Sequence, residues 1–241
     1  MKKLFSFQII KQSLKSAWIW WLIFIAVTSV NLLAFPSTET DKASLLNLFI
    51  DTGIAGNGLI FTIIFAVMFS NIFITSEVDR GTLAVTLNTP TTRRQILFSK
   101  TLIFVTLLLS FVLVVGIVGA LSPLMYGIDF AYAKWWTVIL LWLFYALAAG
   151  GIAFAIGCWF NKSRYALALS SLVLGAFFIF SMLSAIEDFE FLKYFTLQTL
   201  FDTNAVVSGQ SVLWQAVILA VIAIPFYIIG IIKFSKKDLP I

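Results

Sequence analysis

The sequence predicts an all-α integral membrane protein with six transmembrane helices, and three observations support that fold class. Hydrophobic residues make up 61% of the 241 residues and charged residues only 11%, with a mean hydropathy of +1.03. A soluble core of this length could not bury so much apolar surface. The apolar residues also fall into six long runs, and most basic residues lie on one side of those runs.

Each of the six runs is long enough to cross about 30 Å of hydrocarbon at a rise of about 1.5 Å per residue. The predicted spans are residues 17–35, 53–75, 101–122, 135–160, 165–186 and 212–232. Lysines precede the first run as in a signal peptide, but no small-residue cleavage site follows Phe35. We therefore expect this run to remain as a span, and residues 1–241 to form a single transmembrane domain.

The basic residues predict the orientation of the six spans. An even number of spans places both termini on the same side, and of the 16 Lys and Arg residues only Lys42, Lys134 and Lys193 fall on the other side. The side enriched in Lys and Arg is normally cytoplasmic, so both termini are predicted to be cytoplasmic. Tryptophans cluster near the span ends, as interfacial belts do, and include Trp21 and Trp135.

Several classes of function are excluded or disfavoured by the residues that the sequence lacks. It contains no histidine and a single cysteine, Cys158, which excludes Ser-His and zinc-peptidase chemistry and predicts no metal site. The predicted spans contain no deeply placed ionisable residue, which disfavours a proton- or sodium-coupled pump. No phosphate-binding loop is present, so any ATP must be bound by another chain. We expect neither enzymatic activity nor a cofactor in this chain.

Polar residues within the spans allow two interpretations. Hydrogen bonding between helices, or back to carbonyls of the same helix, is favoured for most of them, and lining of a translocation pathway is the alternative. The pathway candidates are Asn57, Asn71, Ser170, Ser171 and Ser181. In the fourth span, Ala149, Ala153 and Gly157 recur every four residues and predict a face for close helix packing.

Two segments outside the spans are also expected to be helical. Residues 7–15 separate apolar from basic side chains, which predicts an amphipathic N-terminal helix on the inner leaflet; a solvated basic tail is the alternative. The outer segment 187–211 is rich in aromatic residues, which predicts a short re-entrant or interfacial helix that ends at Gly209.

The connection between the second and third spans carries the most informative pattern. Ser76 with Asp79 predicts a capping box that opens a short helix, residues 88–90 predict its end, and Thr92 with Gln95 predicts a second cap. Two short helices are therefore expected at the inner surface of the membrane.

The same connection carries an acidic residue, a Gly-Thr-Leu triplet, a proline and two distal basic residues, namely Glu77, Gly81, Thr82, Leu83, Pro90, Arg93 and Lys100. This pattern, together with the ending Phe-Ser-Lys-Lys-Asp-Leu at residues 234–239, resembles the ABC-2 type permease family. The resemblance implies the permease subunit of an ATP-binding cassette exporter in a cell membrane, here the bacterial plasma membrane. It implies two partners, an ATPase that carries ATP and Mg and a second permease subunit, either identical or homologous.

The resemblance also implies that the connection is a coupling helix that docks on the ATPase. The residues expected to couple to it are Glu77, Asp79, Arg80, Gly81, Thr82, Pro90 and Arg93. Glu77 is the strongest candidate, because an acidic residue gains nothing from anionic lipid, whereas Arg93 could simply anchor to lipid phosphates. The cargo is expected to be amphipathic or hydrophobic, such as a peptide, an antibiotic or a lipid. An energy-independent channel and a membrane-embedded enzyme are the alternatives, and no nucleic-acid partner is expected.

Overall fold

Six long helices dominate the computed structural model, which describes residues 7–34, 42–82 and 92–237. All six are long and apolar enough to cross a membrane, which indicates a multi-pass membrane protein, and the described ranges contain no strand. The helices are α1 (Phe7–Ala34), α2 (residues 42–79), α3 (Arg93–Met125), α4 (Tyr132–Trp159), α5 (Ser163–Leu183) and α6 (Leu213–Ser235). The prediction of an all-helical chain with six helices of spanning length is confirmed.

The first two helices begin earlier than predicted. The expected amphipathic N-terminal helix is not a separate element, because residues 7–16 form the first turns of α1. Neither Gly nor Pro lies between Phe7 and Ala17 to end a helix there. The helical run of α2 begins at Lys42 instead of Gly53, so Asp51, which we expected outside the span, lies within it.

Two π-helical stretches interrupt α2. The first covers Phe49–Gly58 and the second covers Asn71–Thr75, with the regular helix Leu59–Ser70 between them. A π-helix is bonded from residue i to residue i+5, so its turns are wider than those of an α-helix, and such stretches are frequent at functional sites. The second stretch lies next to the buried lysine described below.

An aromatic cluster holds α1, α2, α3 and α4 together. Phe65 stacks on Phe69 with ring centroids 4.0 Å apart and on Phe111 with centroids 5.2 Å apart, and Phe24 meets Phe65 edge-on at 5.3 Å. Trp142 packs edge-on against Phe111 at 5.8 Å. Offset-stacked and edge-on pairs are the favoured aromatic geometries, so this cluster fixes the relative positions of four helices.

Close packing of α4 through small residues is confirmed. A Cβ atom added at Gly157 would lie 2.5 Å from the Ser70 hydroxyl, and one added at Gly151 would lie 3.0 Å from the Ala223 carbonyl oxygen. The Ser70 hydroxyl donates a hydrogen bond to the Ala153 carbonyl at 2.8 Å. The backbone of α4 therefore approaches both α2 and α6 closely, as helices with small residues at an interface do.

The segment between α5 and α6, for which we predicted one short helix, forms three short helical elements and reaches the bundle at Gln198. It contains 3-10 turns at Glu187–Phe195 and Gln198–Leu200 and a short helix at Thr203–Val207. The Gln198 amide donates to the Tyr145 hydroxyl at 3.0 Å, and Tyr145 lies about 20 Å along α4 from its start. Gly209, with φ of 78°, ends the short helix, where Gly209 and Gln210 donate to the Val206 and Ala205 carbonyls.

Candidate coupling site at the basic end of the bundle

The helices alternate in direction, so α1, α3 and α5 begin at the same end of the bundle where α2, α4 and α6 end. We call this the basic end, because most of the lysines and arginines that the structure describes lie there. Four side chains join the helices at this end: Glu77, Asp79, Lys100 and Lys237. We call the set of contacts that they make the inner network.

Lys100 is the most buried charged residue of the inner network, with only 2% of its surface exposed. Its ammonium group forms an ion pair with the carboxylate of Glu77, whose side chain is 30% exposed, and donates a hydrogen bond of 2.7 Å to the Phe73 carbonyl. Removing one partner of such a buried pair is strongly destabilising, because an uncompensated charge is left in a low-dielectric surrounding. The end of α2 and the beginning of α3 are thereby joined.

This pair corrects the expectation that ionisable residues would be confined to the span ends. We placed Lys100 just before the third span, but α3 begins at Arg93, two turns earlier. The capping box formed by Thr92 and Gln95 is present, with contacts of 3.3 Å and 2.8 Å, yet it opens α3 itself and not a separate surface helix. Lys100 therefore lies inside a transmembrane helix and among its buried residues.

The other predicted capping box is wrong. Ser76 does not open a helix, because residues Ser76–Asp79 form the last turn of α2 and the preceding Thr75 is already helical. The Thr75 hydroxyl instead donates to the Gly157 carbonyl at 2.9 Å and so binds α2 to α4. The predicted helix end at residues 88–90 lies outside the described residues, as do Leu83 and Pro90.

Asp79 extends the inner network to α5. Its carboxylate accepts a hydrogen bond of 3.0 Å from the backbone N–H of Ser163, the first residue of α5. Backbone N–H groups in the first turn of a helix have no intrahelical partner, and a carboxylate there is stabilised by the helix dipole. Asp79 thus attaches the end of α2 to the start of α5.

Lys237 joins α3, α4 and α6. Its ammonium group donates to the carbonyls of Cys158 and Phe160 at 3.1 and 2.6 Å, while its own carbonyl accepts from the Arg93 guanidinium at 3.3 Å. Cations are stabilised at helix C-termini, where the last carbonyls have no intrahelical partner. Burial, with a smaller contribution from Lys233, lowers the pKa of Lys237 to about 8.

The remaining predicted coupling residues surround the end of α2. Gly81 has a φ of 69° and ends the helix in the left-handed conformation that favours glycine. The Thr82 hydroxyl donates to the Glu77 carbonyl at 3.3 Å. The guanidinium of Arg80 makes no ion pair or hydrogen bond within residues 7–34, 42–82 and 92–237.

The predicted pathway residues are not brought together. Ser170 is buried and donates to the Ala166 carbonyl at 2.6 Å, which is the helix-internal bond that we favoured. Asn57, Asn71 and Ser181 are half-buried, and Asn57 and Asn71 lie in the first and second π-helical stretches respectively. Ser171 alone of the five lines a cavity described here.

That cavity is an apolar groove of about 500 Å³ between α2 and α5. Its walls include Ile63, Val67, Leu167 and Phe178. A second groove of about 820 Å³ lies between α4, α5, α6 and residues 193–200, with Lys193 and two threonines beside apolar side chains. Both volumes lie in the range of about 300 to 1,000 Å³ that small-molecule sites occupy.

Reasoning from the sequence missed the roles of Lys100 and Lys237. The available signal for Lys100 was a single lysine among apolar residues in the first turns of a long helix, with Glu77 at a similar depth in the preceding span. An ionisable residue inside a membrane helix is costly unless another group pairs with it, so a partner for Lys100 could have been sought. No comparable signal exists for Lys237, because helix capping by a distant lysine depends on tertiary packing.

A profile described as a protein of unknown function, DUF2705, matches residues 54–240. The chain belongs to the DUF2705 family. The region matched to DUF2705 includes all four side chains of the inner network, whereas α1 precedes it. No curated protein matches this DUF2705 chain.

Proposed function

We propose that this DUF2705 protein is the permease subunit of an ATP-binding cassette exporter of the ABC-2 type. The observation that carries the proposal is the inner network. It joins the two ends of the connection between α2 and α3, which is the segment that the ABC-2 resemblance assigns to ATPase docking. An element on which a partner pushes can move the spans only if it is rigidly attached to them.

The inner network supplies that attachment. Glu77 and Lys100 join the two ends of the connection to each other, Asp79 extends the attachment to α5, and Arg93 with Lys237 extends it to α4 and α6. A displacement of the connection would thus reach five of the six spans. Glu77 acts in this scheme as a positioning residue within the chain and not as the direct ATPase contact that we first expected.

The basic end is cytoplasmic in this proposal. The side of a membrane protein that is enriched in Lys and Arg is normally cytoplasmic. This orientation would expose the connection to a cytoplasmic ATPase. ATP and Mg would be bound by that ATPase, and this chain would carry no cofactor. A second permease subunit, identical or homologous, would complete the pathway. Helix α5 buries only Ala166, Ser170 and Leu174, so most of its surface is free for lipid or for that subunit.

The cargo in this proposal is amphipathic or hydrophobic. The groove between α2 and α5 is almost entirely apolar, and the groove beside residues 193–200 combines apolar walls with Lys193 and threonine hydroxyls. A small hydrophilic ion would find few ligands in either groove, because hard cations need several oxygen ligands. Peptides, antibiotics and lipids have the required character.

The first test is whether a neighbouring gene encodes an ATPase with a phosphate-binding loop; that ATPase would be co-expressed with the chain, and the purified complex reconstituted in inverted vesicles. We expect vanadate-sensitive, ATP-dependent uptake of an amphipathic cargo and two permease subunits per complex. Lys100→Met should uncouple hydrolysis from uptake, while the matched variant Lys162→Met, which removes an exposed cation at the same end, should not. Uptake that proceeds equally without ATP would identify a channel or facilitator and refute the proposal.

A further inference from the structure

A polar pocket of about 390 Å³ lies at the basic end between α1 and the end of α2. One wall is formed by the α1 residues Ser13, Ser16 and Trp20, which are spaced three and four residues apart and so share one helix face. The opposite wall includes Ser76 and Glu77 from the last turn of α2, Arg80 and Thr82 just after it, and Ile72 and Phe73 at the apolar side. Of these residues, Glu77 and Phe73 also contact Lys100 in the inner network.

The pocket contains several hydrogen-bond donors that the described chain does not use. Within residues 7–34, 42–82 and 92–237, the hydroxyls of Ser13, Ser16 and Ser76 make no hydrogen bond, and Arg80 has no acidic partner. Ser13 is 5% exposed as a whole residue, and it borders the pocket. A bound acceptor could take hydrogen bonds from these donors in place of water.

The charges of the pocket favour an anion. Among the described lining residues only Glu77 carries a carboxylate, and its charge is neutralised by the ion pair with Lys100. The guanidinium of Arg80 forms no ion pair with any described residue. A guanidinium presents donors in a fork that matches phosphate oxygens, and serine hydroxyls can donate to the same oxygens.

The surroundings of the pocket favour a lipid over a free anion. Trp20 is 48% exposed on a side of α1 where Ile19, Ile23 and Val27 are also exposed, as expected for a surface that faces acyl chains. Ser13 and Trp20 lie about 10 Å apart along the helix axis, so the pocket extends from the polar boundary into the apolar layer. A molecule with a phosphate group joined to acyl chains would match the polar side of the pocket near Ser13 and its apolar side near Trp20.

We propose that this pocket binds the phosphate group of a phospholipid from the leaflet at the basic end, with Arg80 and the serines Ser13, Ser16 and Ser76 as donors. The proposal requires only that the chain spans a membrane, and it is independent of the transport function proposed above. Bound lipid would fill the gap between α1 and α2 next to the Glu77–Lys100 pair.

The test is native mass spectrometry of the purified full chain with three probes: phosphatidylglycerol, a diacylglycerol with the same acyl chains, and inorganic phosphate. We expect one retained phosphatidylglycerol per chain and at least about tenfold weaker retention of diacylglycerol, which lacks the phosphate. Arg80→Gln should weaken phosphatidylglycerol binding about tenfold, which is the usual value of a charge-assisted hydrogen bond. Ser16→Leu, which fills the pocket without a change of charge, should weaken it as well.

The matched control is Lys236→Gln, which removes an exposed cation at the same end but outside the pocket. This variant should retain phosphatidylglycerol like the wild type; an equal loss would reveal diffuse surface attraction and overturn the proposal. Displacement of the lipid by inorganic phosphate at comparable concentration would also overturn it in favour of a free anion. Unchanged lipid retention in Arg80→Gln, combined with loss of the co-expressed ATPase, would assign Arg80 to the protein partner instead.

Discussion

The ion pair between Glu77 and Lys100 allows a double-mutant cycle whose outcome follows from burial. Glu77→Gln leaves the ammonium of Lys100, 2% exposed, without its counter-charge and with only neutral acceptors, such as the Phe73 carbonyl and the introduced amide oxygen. The expected cost is about 3 kcal/mol, at the lower end of the range for a broken buried pair, because Glu77 itself is 30% exposed. Lys100→Met leaves a carboxylate that water can reach, and its expected cost is about 2 kcal/mol.

The double variant Glu77→Gln/Lys100→Met removes both charges and replaces the lysine with an apolar side chain of similar length. Replacement of a whole buried pair is often close to neutral, so we expect a cost of only about 1 kcal/mol instead of the additive value of about 5 kcal/mol. Unfolding by SDS in mixed micelles would measure the three free energies. Glu190→Gln is the control, since Glu190 pairs with Lys193 on an exposed surface and its loss should change little.

Two results would refute this reasoning. Additive single and double variants would mean that the two side chains are not coupled, and a Glu77→Gln variant as mild as Glu190→Gln would mean that Lys100 is hydrated. Expression gives an independent reading. Glu77→Lys should lower abundance, because two ammonium groups would be adjacent, and the added change Lys100→Glu should restore much of it. Normal abundance of Glu77→Lys alone would contradict the buried pair.

Three further predictions concern topology, packing and pH. In a background without the native thiol, a cysteine at Gln210 should react with an impermeant reagent from outside and one at Lys162 should not; the reverse labelling would invert the orientation. Gly157→Ala should lower the free energy of unfolding by about 1 to 3 kcal/mol, because the added Cβ has no room beside Ser70. Gly175→Ala, whose Cβ would point into open space, should not lower it. Equal melting temperatures of the two variants would refute the close approach of α4 to α2. Burial lowers the pKa of Lys237 to about 8 from the ordinary 10.5, so between these values the unfolded state binds more protons than the folded state and stability rises with pH. Lys237→Gln should flatten this rise, which melting curves at pH 7 and 9 would measure. An unchanged slope would exclude Lys237 as its source.

The helices were predictable because apolar runs of spanning length leave few alternatives, but the helix ends were not. Thr92 with Gln95 and Ser76 with Asp79 show similar capping patterns, and only the first is a cap. A capping residue must be preceded by non-helical chain, and Thr75 is already helical. The four residues of the capping pattern do not show whether the preceding residues are already helical.

The contacts between distant residues were less predictable still. Trp135 near a span end fitted an interfacial belt, yet it is fully buried and its indole donates to the Gly116 carbonyl at 2.9 Å. Trp21 likewise donates to the Ser110 hydroxyl at 3.1 Å. Hydropathy reports how a residue partitions between water and lipid, but it does not report which helix lies beside it. The same limit concealed the partners of Lys100 and Lys237.

The π-helical stretch at Asn71–Thr75 sets the angular phase of everything that follows it in α2. Each residue of an α-helix advances by about 100°, since 3.6 residues complete a turn, and a π turn holds more residues than an α turn. Regular α-helical bonding of the same five residues would advance them further around the helix axis and so rotate the last turn of α2 relative to Leu59–Ser70. That rotation would carry Glu77 away from the face that meets Lys100. The wide turn thus sets the rotation of the last turn of α2 independently of the preceding helix. Leu59–Ser70 can pack with one face while the last turn contacts a different neighbour.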